Sequence, residues 1–118
     1  MATKTPKPTL ATIVHVVSEH FNVAPERLYE RTREQPVAQA RQIVLYLAYE
    51  LGHITRSSLA EDFGVTWGAV HKAVQSTAQV LLRDTHARRE LLKLAEHVVK
   101  QAYTQHQTLQ PISTKSYE

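Results

Sequence analysis

The stretch from Arg56 to Gln75, RSSLAEDFGVTWGAVHKAVQ, constrains the fold of this chain more than any other. Leu59, Ala60 and Phe63 fall at i, i+1 and i+4, so the spacing predicts a helix over about 56–63 with Thr55 as its N-cap. Gly64 follows where a left-handed residue ends one helix and turns the chain sharply. Val65 then points inward, and Thr66 offers a hydroxyl to cap a second helix that buries Val70, Ala73 and Val74. Ala60 faces that second helix, where a larger side chain would push the two axes apart. Together these positions have the pattern of a helix-turn-helix over residues 55–76; the plainer alternative is a helical hairpin inside an all-α core.

The remaining segments read as helices that hold this unit. Residues 1–8 are polar, with Lys4, Lys7 and two prolines, and read as a flexible lead or as a basic arm for a DNA groove. Thr9 caps a helix whose Leu10, Ile13, Val14, Val17 and Phe21 recur at helical spacing. Pro25 opens a short helix pinned by Leu28 and Tyr29. Pro36 ends the hinge before it, and a long helix runs from Val37 to Leu51, closed by Gly52. A last helix is predicted over 86–105, after a break at Asp84 and Thr85, with Leu91, Leu94, Ala95, Val98 and Ala102 buried and Leu92 and Val99 widening the stripe. That face either closes the core or docks a second copy as a homodimer. Residues 108–118 read as a flexible tail. No stretch alternates as a strand does, so the class is all-α, about six helices, forming one helical domain over 9–107.

Composition removes several function classes. The 118 residues contain no cysteine, which excludes disulfides, thiolate metal sites and cysteine nucleophiles. No apolar run is long enough to span a membrane, and MATKTPKPTL lacks the apolar core of a secretory signal, so no membrane partner is expected and a cytoplasmic, nucleoid-associated location is. The three glycines form neither GxxxxGK[ST] nor GxGxxG, so no nucleotide and no cofactor is expected. The seven histidines form no HExxH or HxxxH pair, and no paired carboxylates lie in an apolar setting, so neither a metal site nor an enzyme is expected. Lys and Arg exceed Asp and Glu by 14 to 11, an excess whose placement says more than its size.

Arg31-Thr32-Arg33, then VAQARQIVLYLAYEL at 37–51, Asp62-Phe63-Gly64 and AVHKAV at 69–74 together resemble the C-terminal DNA-binding domain, domain IV, of the bacterial chromosomal replication initiator DnaA family. The likeness takes in Ala24-Pro25-Glu26-Arg27-Leu28 and extends over roughly residues 9–100. It implies a DnaA C-terminal-domain or Trp-repressor-like fold and double-stranded DNA as the partner. It also implies that Arg33 enters a minor groove and that Arg41 lies near phosphates, whereas Gln39 replaces another family arginine. The family reads its origin box with an Arg-Asp-His-Thr-Thr run. Here Val65-Thr66-Trp67-Gly68-Ala69 stands in that place and the turn is one residue shorter, so none of those base-reading residues carries over. A scaffold of this family without its ATPase domain reads as a free-standing relative with a different target, acting in replication or transcription control. A protein-interaction module that kept the fold and lost DNA is the alternative.

In a helix-turn-helix the start of the second helix approaches base edges. With Val70, Ala73 and Val74 turned inward, the residues left to face a duplex are Thr66, Trp67, Gly68, His71, Lys72 and Gln75. Lys72 suits guanine O6 and N7, Gln75 suits adenine N6 and N7, and Thr66 suits a phosphate or a thymine methyl. Trp67 either packs on a thymine methyl or sugar edge or buries against the long helix. Arg56, Ser57 and Ser58 at a helix N-terminus, with Arg31, Arg33 and Arg41 upstream, are candidate phosphate or minor-groove contacts. Glu61 and Asp62 are expected to point away from DNA.

Overall fold

The computed structural model describes residues 7–109, and all of its regular structure is helical. The helices are α1 (Leu10–Phe21), α2 (Val37–Glu50), α3 (Arg56–Phe63), α4 (Trp67–Arg83) and α5 (Thr85–Leu109), with a short 3₁₀ helix at Pro25–Tyr29. Most of the expected lead and tail lies outside the described residues. Within them, Pro8 is buried and α5 runs on through Thr108 and Leu109.

Three of the helices begin where a hydroxyl stands ready. Thr9, Thr55 and Thr66 each hold extended backbone, and each side chain accepts an amide N–H three residues on: from Thr12 at 3.2 Å, Ser58 at 3.1 Å and Ala69 at 3.0 Å. Asp84 does the same for α5, accepting from Ala87 at 3.1 Å, and so the helix starts at Thr85 rather than His86. At α2 the Gln35 side chain accepts from the Gln39 amide at 3.0 Å.

The end of α2 departs from expectation. Leu51 stays right-handed, and the left-handed turn falls on His53, at φ 54°, not on Gly52. Gly52 is required for proximity instead. A Cβ there would stand 2.9 Å from the Ala48 carbonyl oxygen and 3.1 Å from that of Pro8. Its missing side chain lets the chain entering α1 lie across the end of α2.

One core joins all the elements. Ile13, Val16 and Val17 of α1, Leu28 of the 3₁₀ helix, Val44 and Leu47 of α2, Leu59 of α3, Val70 of α4 and Val98 of α5 are almost wholly buried within it. α2 packs on α1 and α4, α3 lies against α4, and α5 spans α1 and α4. The last helix thus closes the core through Leu94, Val98 and Ala102. Leu92 does not widen that stripe and is 58% exposed. At about 100° per residue it sits on the far side of the helix from Leu94. Among the described residues, no helix is long and apolar enough to cross a membrane.

The helix-turn-helix forms as its residues predict. Gly64 is left-handed at φ 64° and ψ 37°, and the Val65 N–H returns to the Ala60 carbonyl at 3.0 Å, which closes α3. A Cβ at Gly64 would meet nothing nearer than an Arg31 nitrogen at 3.9 Å, so a substitution is opposed by backbone conformation rather than by space. Gly64→Ala is therefore expected to destabilise the domain by about 1–2 kcal/mol. Gly64→Asn should keep much of that stability, since Asn tolerates the left-handed region. Urea denaturation of the two variants checks this; equal losses would show that sterics, not φ, govern the position.

Candidate nucleic-acid interface

The expected reading residues run from the N-cap of α4 into its third turn. Thr66, Trp67, Gly68, Lys72 and Gln75 are exposed, and so is Ala69, which sequence reasoning passed over. Val70, Ala73 and Val74 hold the opposite side of the helix in the core. That division follows from the 3.6-residue period: the same pattern that buries one stripe leaves these positions outward.

Trp67 is neither buried against α2 nor free. It is 50% exposed, and His71, one turn on, stacks against its ring with centroids 5.1 Å apart and planes within 9°. The Arg56 guanidinium, from the first residue of α3, lies over the same indole at 5.5 Å and over Tyr49 of α2 at 4.3 Å. His71 is thus half-buried, a packing partner of Trp67 more than an outward-facing group. Among the described residues, Arg56 Nε and His71 Nδ1 are buried without a hydrogen-bond partner. Tyr49 was missed in the sequence, although a tyrosine off the apolar stripe of α2 is the one available sign of it.

The upstream arginines divide by what holds them. The Arg31 guanidinium donates to the Gly64 carbonyl, joining the loop before α2 to the turn of the helix-turn-helix. Arg41 donates to the carbonyls of Glu30 at 2.6 Å and Thr32 at 2.8 Å, bracing that loop from α2. Arg33, between these anchors, is exposed with no hydrogen-bond or ion-pair partner among the described residues. The loop's carboxylates are partly answered by Arg27, which bonds Glu30 at 3.3 Å and Glu34 at 2.9 Å, though such exposed pairs are weak.

At α3 the Ser58 amide is taken by Thr55, which leaves the amides of Arg56 and Ser57 as the helix's open donors at its positive end. Ser57 and Ser58 are exposed beside them. Asp62 lies on another side. Partial burial of Tyr29, and after it the nearby Asp62 carboxylate, push that phenol's pKa up; Tyr29 stacks on Phe63 at 4.6 Å, so the acid sits toward the 3₁₀ helix.

These contacts make one surface of three segments: Arg31 ties the basic loop to the Gly64 turn, and Arg56 ties the start of α3 to the start of α4. The sequence that builds this surface matches a family model described as the bacterial DnaA protein helix-turn-helix, over residues 10–76. The chain belongs to that family. Among relatives, the chromosomal replication initiator protein DnaA of Symbiobacterium thermophilum is 37% identical over 76 residues, covering 64% of this chain and 16% of that protein. The DnaA of Wolinella succinogenes is 34% identical over 79 residues, 66% of this chain and 18% of the relative. That of Chloroflexus aggregans is 31% identical over 90 residues, 73% and 18% respectively. The chain therefore spans less than a fifth of the length of these DnaA proteins. The matched region ends at Ser76, so it contains the basic loop and the whole helix-turn-helix but neither the later turns of α4 nor α5.

Proposed function

We propose that this chain binds double-stranded DNA by laying the start of α4 in the major groove, and that it reads a target different from the family's origin box in the control of replication or transcription. The observation that carries this reading is the continuity of the surface. Exposed Thr66, Trp67, Gly68, Lys72 and Gln75 adjoin the open amides and guanidinium of α3 on one side and the Arg33 loop on the other. No acidic side chain stands among the outward residues of the first two turns of α4. Membership of a DnaA helix-turn-helix family supports the same partner.

In this reading Lys72 and Gln75 address base edges, and Arg56, Ser57 and Ser58 hold a phosphate at the α3 N-terminus. Arg33 reaches the adjacent minor groove or backbone. Arg31 and Arg41, whose guanidinium groups are held by carbonyls of the protein, act first by fixing the loop that presents Arg33. The role needs no catalytic step and no cofactor.

Selection of bound duplexes from a randomised library, repeated at two salt concentrations, tests the proposal. With roughly 4–6 phosphates neutralised, log K should fall against log salt with a slope of roughly −4 to −5. An enriched motif unlike the origin box is the expected result, and its symmetry distinguishes one bound copy from two. The half-exposed Trp67 also favours a second reading, a protein-interaction module. Absence of duplex binding at low salt would leave that one standing.

A further inference from the structure

We infer that the first turn of α4 recognises thymine methyl groups, so that the duplex site carries thymines where Trp67 and Ala69 meet base edges. The inference rests on the duplex-binding reading above and names what this turn selects within it.

Three features of the turn lead there. Its hydrogen-bonding capacity is small: the Thr66 hydroxyl oxygen accepts the Ala69 N–H at 3.0 Å, Gly68 and Ala69 carry no polar side-chain atom, and the Thr66 O–H and the Trp67 indole N–H are the side-chain donors left. What this turn offers a ligand is mainly carbon, namely the exposed part of Trp67, the Ala69 methyl and the Thr66 methyl. Second, Trp67 is pre-set. With His71 stacked on it and Arg56 over it, the indole has little rotamer freedom left to lose on contact. Third, a Cβ at Gly68 would meet nothing nearer than the Thr66 hydroxyl oxygen at 3.9 Å, so nothing in the domain excludes a side chain there. The bare backbone leaves room for a base pair to come close.

The major-groove edges of the four base pairs present donors and acceptors throughout, and their one apolar group is the thymine C5-methyl. The thymine methyl is the complement of the carbon surface that this turn presents in the groove. Lys72 and Gln75, one and two turns further along, supply the hydrogen bonds for neighbouring positions.

The test compares the selected duplex with copies in which each thymine in turn is replaced by deoxyuridine, which removes the methyl and alters no hydrogen-bonding group. At contacted thymines affinity should fall about fourfold for each methyl withdrawn from contact. The slope of log K against log salt should not change, because no phosphate contact is touched. Trp67→Ala, with its fold verified by circular dichroism, should still bind with salt dependence but lose the distinction between thymine and deoxyuridine at its position. Equal affinity for both bases at every position overturns the inference while salt-dependent duplex binding keeps the broader reading intact. So does a Trp67→Ala variant that weakens both duplexes equally and retains the distinction. Failure of any duplex to bind at low salt removes both.

Discussion

Replacing Arg33 and Lys72 together with alanine is expected to weaken duplex binding by about a hundredfold, with the folding stability unchanged. A base-contacting cation contributes about 1–3 kcal/mol, and a phosphate contact lowers the salt slope by about one when it is lost. Arg33 and Lys72 lie on different segments of the proposed interface and are both exposed, so neither loss disturbs packing. The double variant should therefore melt like the parent protein while its titration with the selected duplex moves to far higher concentrations. Retained affinity would refute this placement of the interface. Arg41→Ala is the informative comparison, because Arg41 braces the loop through the Glu30 and Thr32 carbonyls. A loss there with the salt slope unchanged would come through the position of Arg33, and a loss with a lower slope through a charge at the duplex.

The second large effect concerns the scaffold. Leu59→Ala should destabilise the domain by about 3 kcal/mol, lowering the melting temperature by about 10–20 °C. Leu59 is fully buried where α3 meets the core, so truncation leaves a cavity that its neighbours fill only in part. Leu92→Ala removes the same atoms from a side chain that is 58% exposed and should change stability by no more than about 0.5 kcal/mol. Thermal melts of the two variants, followed by far-ultraviolet circular dichroism, make the comparison. Similar losses at both sites would mean that Leu92 is covered in solution, as a second copy docked on α5 would do.

The two leucines also show how far a sequence reaches. Apolar spacing identified the stripe of α5 through Leu94, Val98 and Ala102, because a helix's period is an intrinsic property of its backbone. It could not assign Leu92, an apolar residue off that stripe, since burial depends on what the neighbouring helices present. Local chemistry was the most legible of all. Thr9, Thr55 and Thr66 cap their helices, and Gly64 takes the left-handed turn, because each interaction closes within a few residues.

Gly52 marks the limit. A glycine after a long apolar run suggested a left-handed cap, yet what the missing side chain makes room for is two carbonyls, that of Ala48 one turn back and that of Pro8 far away in the chain. The candidate interface divides in the same way. Which residues of α4 face outward followed from the period of a single helix, and the resemblance to the DnaA family pointed to the basic loop. That Arg31 is held by Gly64, that Arg41 is held by Glu30 and Thr32, and that Arg56 joins Tyr49 to Trp67 are contacts between separate segments. A guanidinium on a long flexible side chain can face solvent, a phosphate or a carbonyl at similar cost. By itself the sequence determined the helices, their threonine caps, the Gly64 turn and the class of the fold, all matters of short-range backbone geometry. Only the tertiary structure decided which cations are engaged by the protein and which stand free, because that depends on where distant carbonyls and rings come to lie.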